Sequence, residues 1–151
     1  MPAQYTVEQV ADAIIHLCRE RNIEITNLKL QKLLYYAQVW HLVFSDEPLF
    51  DAELEAWVHG PVVPRVFRRF KEYRWNAITA PVDPAPDEKL IAYLGEVLNT
   101  YGCLSGSQLE RLTHREGPWR DARAGVAADE SSNEVITHES IKRYYKALAG
   151  R

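Results

Sequence analysis

Four positions in the sequence carry the same helix-start pattern: an apolar residue, then a hydroxyl residue, then another apolar residue four positions after the hydroxyl. The hydroxyl and the later apolar residue are Thr6 and Val10, Thr26 and Leu30, Ser105 and Leu109, and Thr137 and Ile141. The hydroxyl can accept a hydrogen bond from a free backbone N–H while the apolar pair packs across the first turn. The recurrence of this pattern over 151 residues predicts a mainly α-helical chain.

Apolar spacing predicts about six helices, because apolar residues recur with a 3.6-residue period after each of these starts. The run from 26 to 44 has no Gly or Pro and a broad apolar face, so we expect it to be the central helix. The other helices are predicted from 6 to about 21, from about 63 to 73, from Asp87 or Asp83 to Gly102, from Ser105 to near Gly117, and from Thr137 onward.

Three stretches lack helical spacing. Residues 54–58 could form at most a short strand, and three prolines between 81 and 86 predict an extended connector. Residues 120–134 are small, polar and aperiodic, which is typical of a long loop that is either mobile or shaped by a partner. A chain of this length can bury one substantial core, so residues 1–151 are predicted to form a single compact domain.

Composition argues against several classes of partner. The net charge of −3 provides no overall attraction for nucleic acid, and no apolar stretch reaches the length of a membrane span. Cys18 and Cys103 are far apart and lack CxxC spacing, so we expect reduced thiols in a cytoplasmic protein. A homo-oligomer is left open by the composition.

The sequence offers little support for catalysis. It has no nucleotide-phosphate or serine-hydrolase motif, and its five histidines fall on five different predicted segments without metal-ligand spacing. We therefore expect no catalytic residues, no metal and no cofactor. Five acids between 46 and 55 resemble a solvated face more than an acid–base pair.

A basic segment follows this acidic cluster, and it has three possible roles. It could contact phosphates, contact a protein, or remain a solvated helix face, and its charges could also pair with the acids at 46–55. The arginines are predicted to face away from Val66, Phe67 and Phe70. The cations of the segment are Arg65, Arg68, Arg69, Lys71 and Arg74.

Two stretches of the sequence resemble the Panacea-domain family, a group of SocA-like, phage-associated antitoxins. The first is TNLKLQKLLYYAQVWHL at 26–42, and the second is EPLFDAELEAWVHGPVVPRVFRRF at 47–70. A third stretch, LSGSQLERLTHREGPWRDAR, is similar to the family's Thr-His-x-x-x-Pro-Trp segment. The resemblance extends over nearly the whole chain.

The resemblance implies an antitoxin that neutralises the product of a neighbouring toxin gene, often in prophage or phage-defence loci. It implies a cognate protein toxin as partner and leaves two mechanisms open: direct neutralisation, or delivery of the toxin to a ClpXP-type protease. The toxin itself is not identified by these motifs.

The resemblance, together with the local chemistry of the basic segment, also implies candidate site residues. The partner-binding candidates are Lys29, Gln31, Lys32, Tyr35, Trp57, His59, Arg65, Arg68 and Arg69. Polar members of the first block would lie either on a solvated helix face or at the rim of the toxin interface. Trp57 would either bury its ring, which we favour, or anchor the interface. The structural candidates are Gly60, Pro61, Pro64 and Trp119, the first three forming a rigid elbow before the basic helix.

Two functions from other classes remain as alternatives. A nucleic-acid-binding regulator would use the basic helix at 63–74 to contact phosphates. A hydrolase that reverses a toxin's modification would need a cleft containing groups such as His59 and Glu55.

Overall fold

The computed structural model describes residues 3–150 and is mainly α-helical, as predicted. Within these residues the elements, numbered in chain order, are α1 (Val7–Glu20), α2 (Asn27–Ser45), β1 (Leu54–Trp57), β2 (Gly60–Val62), α3 (Pro64–Phe70), α4 (Glu88–Tyr101), α5 (Gly106–Arg115), α6 (Gly117–Ala122), β3 (Val135–Ile136) and α7 (His138–Leu148). A 3-10 turn, Lys71–Tyr73, follows α3. The predicted domain limits of 1–151 stay a prediction, since residues 1, 2 and 151 lie outside the described range.

All four predicted hydroxyl caps are confirmed. Thr6 Oγ1 accepts from the Gln9 backbone N at 3.1 Å, and Ser105 Oγ accepts from the Gln108 N at 3.1 Å. In both cases the glutamine side chain accepts from the backbone N of the cap residue, which completes a capping box. The backbone N–H groups of Lys29 and Ser140 donate to the hydroxyls of Thr26 and Thr137 in the same way. Of the two alternatives for α4, the cap is the aspartate at 87.

Helix α2 lies at the centre of the fold. It packs against α1, α4, α5 and α7, and it also contacts α3 and β2. Because neighbours surround it, residues 29–39 are buried on every side, not only along one apolar face. Phe44 departs from the predicted apolar face, since 57% of its surface is exposed.

The sheet is larger than the sequence predicted. Its strand order is β2-β1-β3, and both pairings are antiparallel. Trp57 pairs with Gly60, so Val58 and His59 form the two-residue turn of a β-hairpin. Gly60 has φ 103°, Pro61 is extended and Pro64 lies in the first turn of α3, which are the conformations that the predicted elbow requires. The sequence did not predict that Gly60 and Pro61 form a strand, and Pro61 is tolerated there because β2 is an edge strand.

Helix α6 is a second difference from the prediction. Helix α5 ends at Arg115, near Gly117 as predicted, but Gly117 and Pro118 also open a new helix, in which proline occupies the first turn. The remainder of the predicted loop, residues 123–134, is anchored by the Arg123 side chain. Its guanidinium donates to the carbonyl oxygens of Ala56 at 2.9 Å and Ala127 at 2.8 Å. Across residues 3–150, none of the helices combines the length and apolar character that a membrane span requires.

Candidate functional site

A groove of about 1210 Å³ opens between the β1–β2 hairpin, α3 and the loop before β3. Polar residues of α2 form its floor, and Glu110 of α5 borders it beside the hairpin turn. We call it the aromatic-basic groove after the six side chains that define it: Trp57, Phe67, Trp75, Arg68, Lys71 and Arg74.

Aromatic rings from three elements line this groove. Trp57 on β1 and Phe67 on α3 meet edge to face, with ring centroids 5.1 Å apart. The indole N–H of Trp57 donates to Glu55 Oε1 at 2.9 Å, and its ring is only half-buried. Phe67 was expected to face the core, but it lies half-buried in the groove because the hairpin packs beside α3. Trp75 is 78% exposed.

Two exposed arginines of the basic segment form ion pairs with acids of the fold. Arg65 Nε lies 2.6 Å from Glu8 Oε2, and Arg69 Nη1 lies 2.7 Å from Asp12 Oδ1. Both acids belong to α1, so the predicted pairing with the acids at 46–55 is wrong for these two arginines. Helix α3 packs beside α1, so the carboxylates that reach Arg65 and Arg69 are on that helix.

The other three cations of the segment face the groove. Arg68, Lys71 and Arg74 are exposed, and none of them makes an ion pair with any residue between 3 and 150. Arg74 has φ 56° and ψ −118°, a backbone conformation that residues other than glycine rarely adopt. This conformation ends the 3-10 turn and directly precedes the exposed Trp75.

Lys29 and Tyr35 lie inside the fold, so the solvated face or interface rim predicted for Lys29 and the partner contact predicted for Tyr35 are both wrong. Only 7% of Lys29 and 0% of Tyr35 is exposed. Lys29 Nζ donates to Gly102 O at 2.7 Å, at the end of α4 where the helix dipole favours a cation. The hydroxyls of Tyr35 and Tyr145 are hydrogen-bonded at 3.0 Å.

Gln31 and Lys32 are also fully buried and hold the hairpin and α3 in place. Gln31 Oε1 accepts from the Val63 backbone N at 2.9 Å, and Lys32 Nζ donates to Pro61 O at 2.9 Å. The prediction that Gln31 and Lys32 lie on a solvated face or at the rim of an interface is therefore also wrong. One feature of the sequence could have indicated their burial: these polar residues interrupt a helix that is apolar on its other faces.

The later motif segment, THREGPW at 113–119, packs against the hairpin. Trp119 is 6% exposed, and its indole N–H donates to Trp57 O at 2.7 Å. The His114 ring stacks on Trp119 with centroids 3.9 Å apart, and burial lowers the His114 pKa. Glu116 accepts hydrogen bonds from the hydroxyls of Tyr36 and Tyr145, while burial raises the pKa of its carboxyl.

His59 stands at the tip of the hairpin with 73% of its side chain exposed. Its Nδ1 lies 3.2 Å from Glu110 Oε1, whereas Glu55 is bound by the Trp57 indole. His59 and Glu55 border the same groove without a hydrogen bond between them, and the His59 imidazole is open to water. Within residues 3–150, no group of three or more His, Cys, Asp or Glu side chains is arranged to hold a metal ion.

Comparison with known proteins identifies the family. The family model described as "Antitoxin SocA-like, Panacea domain" matches residues 30–120. The chain belongs to this SocA-like antitoxin family. A relative named Antitoxin SocA, from Caulobacter vibrioides (strain NA1000 / CB15N), is 33% identical in a 132-residue alignment that covers 78% of this chain and 70% of the relative. No solved structure shows a significant match.

The matched Panacea region contains the hairpin, α3 and the buried polar residues Gln31 and Lys32. It also contains the groove side chains from Trp57 to Trp75. Membership in this family supports an antitoxin role. Phe67 and Trp75 were not predicted to be site residues, and Lys71 and Arg74 were predicted only as members of the basic segment, not among the family's partner-binding candidates.

Lys32 makes the stability of this SocA-like chain depend on pH. Burial lowers the pKa of Lys32 to about 7, and the Glu110 carboxylate opposes part of that shift. An unfolded lysine titrates near 10.4, so above about pH 7 the unfolded chain binds more protons than the folded chain. The free energy of unfolding contributed by Lys32 therefore rises as the pH rises through this window.

We expect the wild-type chain to gain about 1.5 kcal/mol relative to Lys32→Met between about pH 7 and pH 8.5. Urea unfolding of both proteins at the two pH values measures this difference. Lys71→Met, at an exposed site, provides the control and should follow the wild type. Parallel pH dependence in wild type and Lys32→Met would mean that Lys32 keeps its usual pKa.

Proposed function

We propose that this chain is an antitoxin that binds a cognate protein toxin in the cytoplasm, and that it neutralises the toxin by direct contact without catalysis. Family membership supports the antitoxin role. The aromatic-basic groove is the observation that supports the contact surface, because tryptophan and arginine dominate protein-binding hot spots.

The buried motif residues support this assignment of roles. Gln31 and Lys32 bind backbone atoms at the start of α3 and in β2, and Trp119 binds the end of β1. They hold the walls of the groove and leave Trp57 and Arg68 facing outward. We therefore retain Trp57, His59 and Arg68 as proposed contact residues, and Arg65 and Arg69 as positioning residues that attach α3 to α1.

Growth rescue tests the proposed function. The product of the reading frame beside this gene would be expressed alone and together with the full chain. We expect growth arrest in the first case and recovery in the second, and we expect the purified proteins to form a complex. Loss of recovery without any complex would overturn the proposal.

The same assay in a host without ClpP distinguishes the two mechanisms. Direct neutralisation predicts that rescue persists and that toxin abundance is unchanged by co-expression. Delivery to a ClpXP-type protease predicts that rescue disappears and that the toxin accumulates, which would contradict direct neutralisation.

A further inference from the structure

Three cations on one wall of the groove make no ion pair with any described residue, although Glu55 and Glu110 border the same groove. Arg68, Lys71 and Arg74 make no ion pair within residues 3–150, although Arg65 and Arg69 of the same segment are paired with α1. Charges of one sign lining a cleft raise the local concentration of oppositely charged ligands and orient them. This wall is therefore complementary to an acidic ligand.

The groove also provides a place for an apolar anchor. Trp57 and Phe67 form an edge-to-face pair, and Trp75 is 78% exposed at the margin. The unusual backbone of Arg74 fixes the chain direction immediately before Trp75. Rare backbone conformations persist where the surrounding structure holds them and are concentrated at functional sites.

The opposite side of the groove favours a peptide over a nucleic acid. Glu55 and Glu110 border it, and their carboxylates would repel a phosphate backbone. A peptide segment has neutral backbone N–H groups that can donate to these acids, while its own acidic side chains face the cations. A volume of about 1210 Å³ is larger than a single drug-sized ligand needs, so several residues can enter.

We propose that the aromatic-basic groove binds an extended acidic segment of the toxin, with one aromatic or large apolar side chain of that segment anchored among Trp57, Phe67 and Trp75. The acidic residues of the segment pair with Arg68, Lys71 and Arg74. This inference rests on the proposed antitoxin function and specifies the chemistry of its partner.

Charge reversal tests the ionic part of the inference. The variant Arg68→Glu/Lys71→Glu/Arg74→Glu and a control, Arg111→Glu/Arg120→Glu/Arg143→Glu, carry the same change in charge, and all six residues are exposed. We expect toxin binding by the first variant to weaken at least about tenfold and by the control less than about threefold. Equal weakening in both would overturn the inference.

Trp75→Ala tests the anchor, with Leu148→Ala, which is 61% exposed and outside the groove, as control. We expect at least about tenfold weaker toxin binding for the first and no change for the second. Unfolding curves of both variants should match the wild type. Normal toxin binding by Trp75→Ala would show that Trp75 does not hold an apolar side chain of the toxin.

Overlapping peptides of the toxin identify the segment. Those that bind should combine acidic residues with an aromatic or large apolar residue, and lysine substitutions at their acids should restore binding to the charge-reversed variant. Binding of only basic peptides, or salt-sensitive binding of oligodeoxythymidylate in place of any peptide, would overturn the proposed occupant. If rescue by the wild-type chain succeeds while these tests fail, only the groove inference falls; if rescue itself fails, the antitoxin proposal falls.

Discussion

Replacement of Gly60 by alanine is expected to lower the free energy of unfolding by about 3 kcal/mol or more. Gly60 has φ +103°, and an added Cβ would lie 2.6 Å from Lys32 Cε and 2.9 Å from Thr113 Oγ1. Neither neighbour can withdraw easily, because Lys32 Nζ is bound to Pro61 O and the Thr113 hydroxyl to Glu110 O. Backbone strain and steric overlap therefore both destabilise the variant.

Gly125→Ala is the matched control for this prediction. Gly125 also has a positive φ, +84°, but no atom lies within 4 Å of an added Cβ. Its cost should be limited to backbone strain of about 1 kcal/mol. Urea unfolding of the two variants separates strain from overlap, and equal losses of stability would show that the Gly60 site accommodates the methyl group by shifting.

A shift of the hairpin would also affect the groove. Trp57 pairs with Gly60 in the β1–β2 ladder, and His59 lies in the turn between them. We therefore expect any Gly60→Ala protein that still folds to bind toxin less tightly, through displacement of Trp57. The glycine in this motif is needed for close packing of the hairpin on α2 and α5.

Helix starts could be predicted because their stabilising bonds are local. The hydroxyl of Thr6 or Ser105 binds a backbone N–H only three residues away, so the pattern is complete within a short stretch of sequence. Helix α6 was missed because its start has no such local bond. Its N-cap residue, Glu116, makes no side-chain cap bond and binds Tyr36 and Tyr145, and the Gly-Pro that follows is typical of a helix end.

The interior polar bonds could not be predicted from neighbouring residues. Lys29 binds a carbonyl 73 positions away, and Lys32 binds one 29 positions away. Their acceptors are backbone oxygens, which every residue has, so the sequence contains no pattern for the partner. Because lysine is charged, these residues were expected on a solvated helix face or at an interface rim, whereas tertiary packing buries them.

The candidate groove was predictable in part. The basic run and Trp57 were recognised, but the separation of Arg68 from the paired Arg65 and Arg69 depends on the position of α1. Likewise, the positive φ of Arg74, directly before the exposed Trp75, has no signal in the local sequence. Both features arise from tertiary structure, which periodicity and local motifs do not specify.

Arg123→Met is expected to lower the free energy of unfolding by about 2 to 4 kcal/mol and to release residues 124–134. Arg123 is 3% exposed and donates to carbonyl oxygens of β1 and of the loop, including Ala56, Ala127 and Glu130. Methionine preserves much of the side-chain length but donates no hydrogen bond.

Hydrogen exchange of amides in residues 124–134, together with urea unfolding, measures the effect of Arg123→Met. Arg120→Met is the control, because Arg120 is exposed and makes only a 3.5 Å bond to Arg115 O; its stability should change by less than about 0.5 kcal/mol. Since residues 131–133 line the groove, release of this loop should also weaken toxin binding. Unchanged loop protection in Arg123→Met would show that β3, and not this guanidinium, holds the loop.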